Sequence, residues 1–377
     1  MADSGSMLWD HVRLRAIATQ RALQRAGDAI PRVSELDSAL GDRLVVRLQL
    51  LVRDIQDRLS DESSAAATAE LISQGNSLIG ETLAFVSGAA ARHLNLDDGI
   101  TSLALAWLDQ LSHAADLEKV GLVIPASTEF TGMLTQVIRL RLPVDGIWGL
   151  PVAVHEYGHF VASKLARREE RRGITRTVIP IEELAYNAGT ETDFPRLYWH
   201  GHELFADALA AATTGPAYVR YCIHHRFEPG AAQEISATHP EPTRRIRVQL
   251  RALQRLASGE QAPYIADEVR KLAELWQTMV TEAGRDPEVR PEPLLDGLEE
   301  QLLGCLDDYR LVRIRYTDHI RARVLAESPL DQADEPVTVP TALNAGWVRR
   351  LKNDGVEARD EVAADCERLI REALERD

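Results

Sequence analysis

Apolar residues recur at three- and four-residue intervals through 8–26, 40–59, 65–93 and 101–115, which predicts four amphipathic helices. Gly27-Asp28, Ser60-Asp61 and the stretch from Asn95 to Gly99 break them. Arginines alternate with acids on the polar positions, so those faces read as solvated. The period changes after Lys119. Gly121-Leu122-Val123-Ile124-Pro125 is short and rich in β-branched residues. In 137–142, Ile138, Leu140 and Leu142 alternate with Arg139 and Arg141, the period-two pattern of a half-buried strand. Val178-Ile179-Pro180 reads as a third short strand, stopped by its proline.

A helix is predicted to start at Pro151, run through the charged cluster 167–172 and stop at Gly173. A second covers 196–213 and ends before Gly215-Pro216. Helical periodicity returns in 246–256 and 265–280, and 347–374 reads as one or two amphipathic helices. The proline-rich 285–293 reads as a linker, and the acidic 328–340 as extended chain. No internal repeat is present. The expected architecture is mainly α with an α+β core: a helical region 1–118, a core 119–260 containing a small sheet and an active-site helix, and a helical region 261–377.

Composition narrows the function. The 377 residues carry 43 basic and 58 acidic side chains, a formal charge of −15, which disfavours generic binding to nucleic acid or an anionic membrane. No segment approaches the roughly 20 apolar residues that span a bilayer. The start of the chain lacks the basic and apolar regions of a signal peptide. Cys222, Cys305 and Cys366 lie far apart, which excludes a disulfide scaffold and a thiolate zinc ribbon and fits a reducing compartment. A soluble, cytoplasmic protein is expected.

The chemistry concentrates in His155-Glu156-Tyr157-Gly158-His159. Residues four apart share a helix face, so both imidazoles can address one tetrahedral ion. Glu156, next to the first histidine, can reach a metal-bound water instead of the metal, the helix mechanics of a zinc peptidase. Leu150, Val154, Val161 and Leu165 form an apolar stripe that buries the helix, and the alternating strand just before it is where such enzymes pair with substrate. A catalytic zinc takes three protein ligands and keeps one position open. Glu203 and Asp207, again four apart, suit a second helix: Glu203 as the third ligand and Asp207 as acceptor for a ligand histidine's free N–H. Ala206, Ala208 and Ala210 to Ala212, with Gly158 opposite, would let the two helices approach closely. His200, His202 and the His224-His225 pair compete for the third position. Thr238-His239-Pro240, with Arg245 six residues after the histidine, could overhang the site and offer a donor to an oxyanion.

Together these three elements resemble the gluzincin peptidases that include HtpX and the CAAX prenyl proteases. Their His-Glu-x-x-His helix often carries glycine at the fourth place, as Gly158 does. A later Glu-x-x-Ala-Asp helix is matched by Glu203 to Asp207, and a His-Pro segment with a following arginine by His239, Pro240 and Arg245. The resemblance covers 137–256. It implies a zincin-like metallopeptidase core with zinc as cofactor, His155, His159 and Glu203 as ligands, and Glu156 as general base. It also implies Asp207 behind a ligand, with His239 and Arg245 as transition-state or substrate contacts. The named members are embedded in membranes, whereas this chain has no spanning segment, so prenylated or membrane-inserted substrates are not expected. Pro291-Glu292-Pro293-Leu294-Leu295-Asp296-Gly297 also resembles the second motif of site-2 proteases, in which the aspartate ligates. The charged surroundings of Asp296 argue against that role.

The expected activity is zinc-dependent hydrolysis of a peptide or protein substrate. The alternative is a helical interaction or regulatory protein that retains the fold with a structural or inactive metal site. A further expectation is occlusion, in which the N-terminal helices or 328–340 cover the groove until a regulatory partner moves them.

Overall fold

Amphipathic spacing becomes helix nearly wherever the chain displays it. The computed structural model describes residues 4–30, 38–60, 64–114, 119–126, 130–132, 137–141, 146–164, 167–171, 174–178, 180–256, 262–308, 337–352 and 356–375. The protein is mainly helical and divides into two compact units, 1–101 with 121–142, and 102–120 with 143–377. The sequence-based boundaries therefore move. The strand segment expected in the core belongs with the first helices, and the last third of the chain belongs with the core.

In the first unit, α1 (Ser4–Ala29), α2 (Ser38–Ser60) and α3 (Ala65–His93) pack together, and α3 lies on a three-stranded sheet. Its strands are β1 (Leu122–Ala126), β2 (Phe130–Gly132) and β3 (Val137–Arg141), in the order β1-β3-β2. Leu23, Ile55, Ile72, Phe85, Ile124 and Val137 are among the buried side chains of one continuous core. Helix α3 lies close on β1 because residue 88 is glycine: a Cβ there would stand 2.5 Å from the Pro125 carbonyl oxygen. The alternation of β3 takes physical form in Ile138 and Leu140, both buried, and in Arg139, half-buried, which donates from Nη2 to the Glu81 carbonyl at 3.3 Å.

From Val137 to Arg139, strand β3 nevertheless offers no substrate edge. It pairs in parallel with β1 along its whole length and antiparallel with β2 from Val137 to Arg139. With both ladders taken over those residues, no free edge remains there for a peptide. The sequence pattern identified a strand but could not say which neighbours would occupy it.

The second unit is built around α7 (Phe194–Thr214), every residue of which from His200 to Thr214 is buried. Around it lie α5 (Leu150–Lys164), α6 (Pro180–Ala188), α8 (Pro216–Tyr221), α9 (Pro242–Leu256), α11 (Pro293–Asp308) and α12 (Val339–Lys352). Helices α4 (Ile100–Ala114), α10 (Ala262–Glu282) and α13 (Val356–Glu375) complete the helical set described. Helix α5 stops at Lys164, earlier than its charge pattern suggests, and 167–171 instead forms β4 (Arg167–Arg171), hairpin partner of β5 (Ile174–Val178). The expected extended stretch 328–340 lies outside the described residues up to 336, and its last two residues begin α12.

Two features fix α7. A Cβ on Gly158 would stand 2.6 Å from the Ala206 Cα, so the glycine lets α5 and α7 meet at backbone distance. At the other end, Gly215 adopts φ +79, and buried Asn344 closes both helix ends there. Its Nδ2 donates to the Thr214 carbonyl at 2.7 Å, and its Oδ1 accepts the Ala217 N–H at 2.8 Å. Those are orphan groups of the α7 C-terminus and the α8 N-terminus.

Candidate metal centre

The close approach of α5 and α7 sets the site. His155 and His159 stand one turn apart on α5 and face Glu203 of α7. Their ligand atoms form one cluster, all within 4.8 Å of one another. The two Nε2 atoms are 3.3 Å apart. Glu203 Oε2 is 3.6 Å from His155 Nε2, and Glu203 Oε1 is 3.3 Å from His159 Nε2. A tetrahedral ion with bonds of about 2.0–2.1 Å requires ligand separations of about 3.3–3.4 Å, which the two imidazole nitrogens meet, while the short approaches to Glu203 fall on its two different oxygens. Two imidazoles and a carboxylate are a donor set that zinc accepts. Glu156 is buried on the same helix, beside His155.

Behind the cluster lies a second layer of hydrogen bonds. His155 Nδ1 is 3.0 Å from Asp207 Oδ1 and 3.0 Å from the Tyr218 hydroxyl. The Tyr218 hydroxyl donates to Asp207 Oδ1 at 2.6 Å. With that proton committed, His155 Nδ1 carries the hydrogen and donates toward Asp207, which leaves Nε2 as the free lone pair that faces Glu203. Burial lowers the His155 pKa, but the Asp207 charge and the hydrogen bonds from Asp207 and Glu203 outweigh it, so the net shift is upward.

Arg245 of α9 neutralises the acids. Its Nε and Nη2 grip Asp207 at 2.6 and 3.0 Å, and Nη2 also lies 2.9 Å from Glu203 Oε2. Burial would raise both carboxyl pKa values, but Arg245 and the histidines hold Glu203 and Asp207 well below the usual carboxylate range. Glu203 therefore stays ionised and able to ligate. The resemblance implied Arg245 as a transition-state or substrate contact. Its side chain is instead turned inward, 5% exposed and committed to the two carboxylates.

His239 does overhang the cluster. Its side chain is 52% exposed, and Nε2 lies 3.4 Å from Glu203 Oε1. The Thr238 hydroxyl is 2.7 Å from His239 Nδ1 and can donate to it, which places the ring hydrogen on Nε2, facing the site. The His239 amide donates to Ser236 Oγ at 2.9 Å, and the Ser236 amide to the His239 carbonyl at 3.0 Å. His200, a competitor for the third ligand position, anchors this turn by donating from Nε2 to the Ser236 carbonyl at 2.9 Å.

The remaining competitors stand apart. His202 is buried and stacks on His159 at 6.2 Å between ring centroids, outside the ligand cluster. Burial, with His159 nearby, pushes its pKa down to about 4, so its ring is neutral near pH 7. His224 and His225 are exposed on the π-helical turn Cys222–Arg226, with their rings against Trp347. Asp296 accepts from Arg244 and Arg247 at 2.8 and 2.7 Å and from the Glu292 amide at 3.2 Å. Tyr218 is the residue that sequence reading missed. It sits in no motif, and only the turn at Gly215 brings α8 back against α7. No protein-family model matches the chain, and neither the curated proteins nor the solved structures yield a match.

Proposed function

We propose that this protein is a zinc-dependent metallopeptidase with a zincin-like core, acting on peptide or protein substrates in a reducing, cytoplasmic compartment. The observation that carries the reading is the cluster of two imidazoles and one carboxylate, whose single ligand atoms all lie within 4.8 Å of one another, with the two Nε2 atoms 3.3 Å apart, the edge length of a zinc tetrahedron. Three protein ligands with one position open is the catalytic pattern, whereas structural zinc sites close with four.

His155, His159 and Glu203 would hold the ion, which supplies a bound water acidified to a pKa of about 7 and a Lewis acid for the substrate carbonyl. Glu156 takes the proton from the attacking water and passes it to the leaving amine. His239 Nε2–H faces the developing oxyanion. Asp207 and Tyr218 hold His155 in the ligating tautomer, and Arg245 keeps Glu203 ionised. Imidazole and carboxylate also accept cobalt, nickel or manganese, so the donor set favours zinc without excluding those ions.

Elemental analysis and a peptidase assay test this together. We expect about one zinc per chain in the parent protein and clear loss in Glu203→Ala. Glu156→Gln should keep the zinc and lose hydrolysis by at least about 100-fold. A parent that takes up no metal after reconstitution, or a Glu156→Gln variant as fast as the parent, would sink the proposal.

A further inference from the structure

The cluster opens to solvent on one side. The side chain of His155 is 0% exposed and that of Glu203 11%, whereas that of His159 is 17% exposed. From His159 a row of rings runs outward along α7. His202 stacks on His159 at 6.2 Å, Tyr198 meets His202 at 4.5 Å, and Phe194 meets Tyr198 at 5.8 Å. Trp199 stands edge-on to Tyr198 at 5.2 Å and 6.3 Å from His202. Positions 194, 198 and 202 are each four apart and share one face of the helix. Beyond His200 this helix is wholly buried, but Trp199 remains 45% exposed.

An exposed tryptophan in a continuous row of rings that ends on a candidate ligand is unlike a scattered surface apolar residue. Aromatic side chains offer large, rigid contact area at low entropic cost, and ring pairs gain from offset or edge-on geometry beyond the area they bury. We propose that the rings of Phe194, Tyr198 and Trp199, backed by buried His202, form a subsite for a planar aromatic side chain of the substrate, on the residue flanking the scissile bond. The inference rests on the peptidase reading and names its substrate class. His239, whose Nε2 lies 3.4 Å from Glu203 Oε1, supplies a polar contact, so the site combines apolar rings with one hydrogen-bond donor.

The test uses the zinc-loaded full chain and three metal-chelating probes, the hydroxamates of phenylalanine, leucine and glycine, with affinity measured by calorimetry. The phenylalanine probe should bind about tenfold more tightly than the glycine probe and several-fold more tightly than the leucine probe. In Trp199→Ala, with zinc per chain unchanged, the phenylalanine advantage should fall to within about twofold. Tyr198→Leu, a milder change at a half-buried position, should lower it in the same direction. Equal affinities in the parent, a leucine probe as tight as the phenylalanine probe, or an advantage that survives both substitutions would overturn the subsite. A parent that binds zinc but cleaves no peptide would sink the peptidase reading while the probe ratio still decides the subsite. A parent that binds no zinc would sink both.

Discussion

Tyr218 contributes one hydroxyl, and that hydroxyl meets both His155, a candidate ligand, and the Asp207 carboxylate beside it. It donates to Asp207 Oδ1 and stands 3.0 Å from His155 Nδ1, with its ring fully buried. Burial and the Asp207 charge push its own pKa well up, so it remains a donor across the working range. Tyr218→Phe preserves the ring and removes only the hydroxyl. We expect zinc affinity, measured by chelator competition, to fall about 10- to 100-fold, the usual effect of losing an outer partner of a ligand histidine. A purely structural tyrosine would instead lower thermal stability and leave zinc affinity untouched. Arg245 teaches the same lesson with opposite charge: a buried guanidinium serves two carboxylates that would otherwise repel each other at 0% and 11% side-chain exposure. The motif identified this arginine, but its direction depends on where α9 packs.

At the scale of elements, the distance between α5 and α7 matters most, and one missing methyl group sets it. The added Cβ of Gly158→Ala would meet the Ala206 backbone, which cannot rotate aside. Overpacking of this kind costs about 1–3 kcal/mol, offset in part by the better helix propensity of alanine. We therefore expect modest destabilisation in denaturant melts, accompanied by a clear loss of zinc because the ligands on the two helices separate. Loss of stability with zinc affinity intact would show that the helices separate without moving the ligands. Elements also explain where reading the chain went astray. In the charged run at 167–171, arginine and glutamate fit a solvated helix as well as a strand, and pairing with Ile174–Val178 decides for the hairpin. Strand β3 was legible by its alternation, but its neighbours β1 and β2 were not.

For the whole molecule, the division into two compact units makes a thermal expectation. All three candidate ligands lie in the second unit, and none lies in the first. A ligand stabilises only the unit that binds it, by about 2.7 kcal/mol at a hundred times its dissociation constant. Calorimetry should therefore resolve two transitions, of which zinc raises one and chelator lowers it, while the other stays in place. A single transition that moves as a whole with zinc would mean that the two units unfold together. No described helix is long and apolar enough to cross a membrane.

The sequence by itself determined the helix spacing, the strand alternation of 137–141 and the one-turn intervals that pair His155 with His159 and Glu203 with Asp207. Each of these depends only on local backbone geometry, in which residues four apart share a helix face and residues two apart share a strand face. Only the tertiary structure decided that the two pairs converge, that Arg245 turns inward, that His200 bonds the Ser236 carbonyl, and that Tyr218 reaches His155 and Asp207. Those outcomes depend on contacts between segments distant in sequence, which packing at Gly158 and the turn at Gly215 bring together and which no local period encodes.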